Sequence, residues 1–157
     1  MVAHDARMAS PYLQRGRISS AGSYYVVTTV TARRARLFVD TANAKEVIHW
    51  LRASDEQGRT ESLAWVVMPD HIHWMFCLRD IPLSIVMRTF KSRSAKALNQ
   101  LNGRQGTVWQ PGYYDQLQRD ERQLMAEATY ILANPVRAGL ATGMNSYPFA
   151  WCRWPPP

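Results

Sequence analysis

An α+β domain built on one antiparallel sheet is predicted by three features of the chain. Short β-branched and aromatic runs recur along it, stretches of helical period separate them, and a proline-aspartate pair joins two adjacent runs. Their order is strand, helix, strand, strand, helix, strand. That is the ferredoxin-like split pattern with helices on one face, here followed by an additional C-terminal helix carrying a tyrosine.

Each element has its own reason. Residues 24–30, with two tyrosines followed by valines and threonines, form the first strand because branched and aromatic side chains suit a pleated surface. Residues 41–52 carry Val47, Ile48 and Leu51 at helical spacing, and a polar turn occupies 54–59. Residues 63–68 and 71–78 are two strands that Pro69 and Asp70 reverse in a tight hairpin. A second helix over 84–101 places Val86, Met87, Phe90, Ala97 and Leu101 on its apolar face. Gly103 and Gly106 open a loop, and residues 107–115 are read as the last short strand with a turn. Asp120 is an N-cap with Gln123 completing a capping box, Leu124, Ala128, Ile131 and Leu132 make the inward stripe, and Pro135 ends the helix.

The 157 residues, 46% of them hydrophobic, make a single domain with a proper core. Residues 1–21 are expected to be a mobile basic arm, 22–154 the domain, and 155–157 a proline tail. Nothing in the chain reaches the length of a membrane span, and the N-terminus lacks the apolar core of a signal peptide, so a cytoplasmic, nucleoid-associated location is expected. Cys77 and Cys152 lack motif spacing and are expected to stay reduced.

Charge points to a polyanionic partner. Nineteen Lys and Arg against twelve Asp and Glu leave +7, and Lys45, Lys91 and Lys96 are the only lysines. The planar fork of arginine suits phosphate oxygens and base stacking. Candidate backbone contacts are Arg15 and Arg17, the cluster Arg33, Arg34 and Arg36, and Arg88, Lys91 and Lys96 opposite Phe90 on the second helix.

Two of the four histidines, His71 and His73, sit at i and i+2 in a β-favouring run. Strand side chains alternate, so both imidazoles project from one face, about 7 Å apart along the strand at a rise of about 3.3 Å. Such a pair either caps a half-buried face or grips one divalent ion together with further ligands. On the last helix, Gln123, Glu127, Tyr130 and Asn134 share a polar stripe. Tyr130 supplies a phenol there, and Asn134, one turn later, an amide oxygen able to reach the same ion.

Three blocks of sequence, residues 65–73, 108–115 with Arg119, and 130–140 with Arg137, occur in an order that resembles the REP-associated tyrosine transposases. These belong to the IS200-like single-tyrosine transposases of the His-hydrophobic-His (HUH) endonuclease superfamily. Residues 147–151 add a weaker echo. The resemblance spans roughly residues 22 to 151. It implies that His71 and His73 are metal ligands, that Asn134 is the third, that Tyr130 is the nucleophile, and that residues 22–154 are a catalytic domain. It implies Mg2+ or Mn2+ as cofactor and nicking and rejoining of single-stranded DNA beside hairpins through a 5′-phosphotyrosine. A free phenol, with a pKa near ~10, needs local activation, for which Glu127 is a candidate helper. Arg119 and Arg137 join the DNA-contacting set. A monomer or a homodimer suits this chemistry. The rival readings are a catalytically silent DNA or RNA hairpin binder and a metal-dependent nucleotide phosphoesterase.

Overall fold

The computed structural model describes residues 21–154, so the expected arm with Arg15 and Arg17, and the proline tail, lie outside the described residues. Five strands form one sheet: β1 (Tyr24–Val30), β2 (Thr60–Met68), β3 (His71–Leu78), β4 (Tyr114–Gln118) and β5 (Ala150–Cys152). Their spatial order is β4-β1-β3-β2-β5, and all neighbours are antiparallel. The α-helices are α1 (Thr41–Glu56), α2 (Leu83–Asn102) and α3 (Glu121–Arg137).

Alternation along the central strands builds two cores. Tyr25 and Val27 of β1, with Ile72, Trp74 and Phe76 of β3, meet Val47 and Leu51 of α1 and Val86, Met87 and Phe90 of α2. On the opposite side, Val26, Ala64, Val66, Met68 and Met75 pack against Leu124, Ala128 and Ile131 of α3. Two helices therefore cover one face, and the tyrosine-bearing helix covers the other. His71 and His73 have the parity of Met75, which assigns them to the α3 face. Each fully buried large apolar side chain contributes about 1.5–3 kcal/mol.

The helix ends follow from local chemistry. Asp40 caps α1, its Oδ1 accepting from the amide of Ala42 at 2.8 Å and of Asn43 at 3.4 Å. Asp120 caps α3 through the amide of Gln123 at 2.9 Å, and the Gln123 side chain returns to accept from the Arg119 amide at 2.7 Å. Gly103 closes α2 with φ 60, the left-handed geometry in which a Cβ is unfavourable.

Several expectations need correction. Pro135 does not end α3: the helix continues to Arg137, because a proline this close to the C-terminus removes one hydrogen-bond donor without breaking the remaining turn. The fourth strand is not at 107–115 but at Tyr114–Gln118. Trp109 instead makes an isolated bridge with Thr31 and turns its ring into the core, where its Nε1 donates to Ser94 Oγ at 3.0 Å. The short edge strand β5 has no counterpart in the expected order. It pairs with β2, and three further bonds secure the segment there: Val67 N to Phe149 O at 2.8 Å, Arg153 N to Leu63 O at 2.8 Å, and Tyr147 Oη to Val67 O at 2.7 Å.

Candidate active site

The hairpin of β2 and β3 turns at Pro69 and Asp70 and sets the histidines at the rim of the sheet, where both are half-buried. Val30 pairs with His71 and Thr28 with His73 across β1. The two rings stand edge to face with centroids 4.9 Å apart. His71 Nδ1 meets Asp70 Oδ1 at 2.7 Å, and His73 Nδ1 meets Thr28 Oγ1 at 2.8 Å. Hydrogen bonding at Nδ1 is what fixes the ring and tautomer of a histidine that coordinates through Nε2. Asp70 also receives Arg34 Nη1 at 3.3 Å. Burial pulls the Asp70 carboxyl up, but the His71 hydrogen bond and the charges of His71 and Arg34 outweigh it and leave it below its usual value. The exposed Arg34 arm, 65% accessible, contributes little stability of its own.

These features fit a divalent cation at the two imidazoles. Among the described residues no group of three or more His, Cys, Asp or Glu side chains could hold a metal, so a third ligand drawn from these residues would be of another kind. An amide oxygen, completed by water, suits a hard ion such as Mg2+ or Mn2+.

On α3, successive residues turn by about 100°. Leu124, Ala128 and Ile131 face the sheet, while Leu132 falls on the flank that shares a cleft with Ala150 and Cys152 of β5. Glu127, Tyr130 and Asn134 fall on the opposite flank. Because β3 lies on the other side of β2 from β5, that flank is turned toward the strand that bears the histidines. Glu127 is buried, with 8% of its surface exposed, and Tyr130 and Asn134 are half-buried. Asn134 Nδ2 donates to the Tyr130 carbonyl at 3.3 Å, and Arg137 Nη2 donates to the same oxygen at 3.2 Å. The Arg137 guanidinium also lies 4.0 Å from the centre of the Tyr130 ring, a cation on its aromatic face.

The basic candidates are distributed unevenly. Arg33, Arg34, Arg36, Arg88, Lys96, Arg119 and Arg137 are exposed. Lys91 differs: its Nζ donates to the carbonyls of Gln110 at 2.7 Å and Gly112 at 2.6 Å, tying the loop after Trp109 to α2. Burial pushes its pKa down to about 8. The folded protein thus releases this proton near pH 8, whereas a free lysine holds it to near 10.5, and stability contributed at Lys91 rises with pH between those values. The urea midpoint of the native protein should rise relative to that of Lys91→Met between about pH 7.5 and about pH 9.5. A pH-independent difference between the two would refute this.

Sequence reasoning missed Thr28, Asp70 and Arg104. Asp70 adjoins His71 in the sequence and was legible as a partner for it. Thr28 is brought to His73 only by the register of β1 on β3.

Comparison with known proteins places the chain in a family. The family described as "Transposase IS200 like" matches residues 19–133, which includes both histidines and Tyr130. The REP-associated tyrosine transposase of Escherichia coli (strain K12) is 25% identical over 131 residues, covering 82% of this chain and 75% of the relative. A putative REP-associated tyrosine transposase of Haemophilus influenzae is 25% identical over 140 residues, covering 82% and 79%. The solved structure of a REP-associated tyrosine transposase bound to a REP hairpin superposes with a TM-score of 0.71 at 26% identity, covering 85% of this chain and 79% of that one. A putative transposase from Deinococcus radiodurans shares the fold, with a TM-score of 0.54 at 23% identity over 74% of this chain and 93% of its own. A family match over most of the chain, on a fold shared with solved transposase structures, makes this protein a member of the IS200-like transposase family.

Proposed function

We propose that the protein nicks and rejoins single-stranded DNA beside hairpins, with Tyr130 as nucleophile and Mg2+ or Mn2+ held by His71, His73 and Asn134. One observation carries this reading: the histidine pair and the α3 flank bearing Tyr130 and Asn134 belong to the same side of the sheet. The related structure that holds a REP hairpin supports hairpin DNA as partner. The net charge of +7 supports a nucleic acid of either strandedness. Single-stranded substrate is favoured on chemical grounds, because a strand must splay from its pair to present one phosphate to a helix-borne phenol.

The residues divide the work. Tyr130 oxygen bonds to phosphorus while the bond to the 3′-oxygen breaks; that oxygen leaves as a 3′-hydroxyl after taking up a proton, and the 5′-phosphate stays on the tyrosine. Attack by a 3′-hydroxyl of another strand reverses the step and conserves the bond without a nucleotide cofactor. A bound divalent ion supplies charge neutralisation at the phosphate. Thr28 and Asp70 hold the imidazoles in orientation. Arg137 keeps the phenol ring in place through its stacking contact. Glu127, buried one turn before Tyr130, is the nearest carboxylate on that flank of α3 and is proposed as a proton acceptor.

Incubation with a labelled hairpin carrying a single-stranded flank, in Mn2+, should give a covalent protein–DNA adduct on a denaturing gel. Tyr130→Phe should lose that adduct while retaining hairpin binding. An adduct that survives in Tyr130→Phe, or mononucleotide turnover in its place, overturns the reading.

A further inference from the structure

Arg33 and Arg34 are consecutive non-glycine residues in left-handed backbone, with φ of 57 and 50. In that region the side chain crowds the following carbonyl, so the conformation is disfavoured at both positions. Their turn is held by bonds on both sides: Thr31 Oγ1 donates to Ala35 O at 2.8 Å, Thr31 N donates to Asp70 O at 2.9 Å, and Ala32 N donates to Val108 O at 2.7 Å. A strained turn kept in place by its surroundings is characteristic of a working surface.

This turn forms one wall of a cleft of about 300 Å3, opposite the end of α2 and the loop at 103–108. That volume lies at the low end of small-ligand sites, which run from about 300 to 1,000 Å3. The cleft floor is apolar, from Leu98 and Val108, and its rim carries the exposed guanidinium groups of Arg33 and Arg104. Two lining amides have a fixed polarity. Asn43 Nδ2 donates to Leu37 O at 2.9 Å, so its Oδ1 accepts from Asn102 Nδ2 at 2.8 Å, and that nitrogen also reaches Leu98 O at 2.7 Å. Asn99 Nδ2 donates to Gly106 O at 2.9 Å. The protein takes both amide hydrogens of Asn102 and one of the two on Asn99, and each amide keeps its oxygen. Gly106 bends the loop to this carbonyl with φ 98, which a side chain would oppose. A wider, shallower groove on the far side of the same loop shares Arg104 and adds Lys96, a continuation of the basic path.

We propose that this cleft binds one nucleotide of a single strand, taking its phosphate on Arg33 and Arg104 and a base that offers amino hydrogens to the oxygens of Asn99 and Asn102. The apolar floor of Leu98 and Val108 receives the base face. Adenine, cytosine and guanine carry an exocyclic amine, whereas thymine offers only its N3 imino hydrogen, set between two carbonyls that the amide oxygens oppose, so the cleft disfavours thymine. The Thr31 and Arg34 bonds to Asp70, whose other oxygen holds His71, place the cleft beside the histidine end of the sheet. The assignment of the bound strand to the nicking substrate rests on the proposed function; nucleotide binding itself does not.

The test is a titration of the isotope-labelled protein with each deoxynucleoside 5′-monophosphate, followed by the side-chain amide signals of Asn99 and Asn102. Shifts saturating near about 1 mM for the amino-bearing bases, with the thymine nucleotide at least about tenfold weaker, are expected. Arg104→Ala should weaken binding by about tenfold or more. A pentanucleotide should bind at least about tenfold more tightly than the mononucleotide at the same signals, which distinguishes a strand from a free nucleotide. Absence of shifts at about 10 mM, equal binding of thymine, or no gain from the longer strand overturns the proposal. Neither Tyr130 nor a metal enters this measurement. Adduct formation without cleft shifts therefore sinks this inference alone, and cleft shifts without an adduct sink the nicking reading alone.

Discussion

His73→Ala is expected to lower Mn2+ affinity by more than about a hundredfold and to remove detectable DNA nicking, with the fold intact by circular dichroism. The magnitude follows from comparing it with a partner of the ring. Thr28→Val deletes only the hydroxyl that meets His73 Nδ1 at 2.8 Å, leaving the imidazole in place with one torsion less restrained. Loss of an orienting partner of this type costs about 10–100-fold in metal affinity or activity. Loss of the ligand itself must exceed that, so the two variants should rank His73→Ala below Thr28→Val below the native protein in calorimetric Mn2+ titrations. Native affinity in His73→Ala would remove the histidine pair from the cation site, whatever the nicking assay reads.

Trp74→Ala should destabilise the fold by about 3–5 kcal/mol in urea unfolding, the range for a fully buried large aromatic. Trp74 has no exposed surface, packs its ring 4.5 Å from Phe76 and 5.4 Å from Phe90 by centroid, and donates Nε1 to Ser62 Oγ at 2.8 Å. Truncation opens a cavity and removes one of the two hydrogen bonds at the buried Ser62 hydroxyl, which keeps its bond to Asp55, two costs with the same sign. Trp74→Phe, which retains most of the packing, should lose less than half as much. A loss below about 1.5 kcal/mol for alanine would mean that the core collapses around the gap. The consequence reaches the site, because Trp74 alternates with His73 on β3 and seats the strand that sets both imidazoles.

What was legible in the sequence is what short-range periodicity encodes. The period of two in β3 gives the shared face of His71 and His73, and the Pro69 and Asp70 reversal gives the β2–β3 hairpin. The capping pattern at Asp120 and Gln123 marks the start of α3. Contacts distant in sequence were not legible. Helical arithmetic puts Lys91 on the polar side of α2, but its ammonium is claimed by two carbonyls about twenty residues later in the chain. The aromatic stretch at 107–115 has strand composition, yet Trp109 serves the core and the hydrogen-bonded ladder starts only at Tyr114. β5 is three residues long, and its pairing depends on a strand more than eighty residues earlier, Ala64 with Cys152 at one end and Val66 with Ala150 at the other. The two cleft amides are likewise invisible without coordinates, since the polarity of Asn102 is decided through Asn43 and Leu37 and that of Asn99 by Gly106.

β2 occupies a special station in this molecule. Along one edge it is zipped to the strand that carries the imidazoles, along the other it takes in the returning C-terminal chain, and its face is the seat of the helix that carries the phenol. A single extended beam thereby joins the strand of the imidazoles to the helix of the phenol, the groups proposed to react, which lie nearly sixty residues apart in the chain. A substitution that loosens β2 is therefore expected to disturb both groups at once.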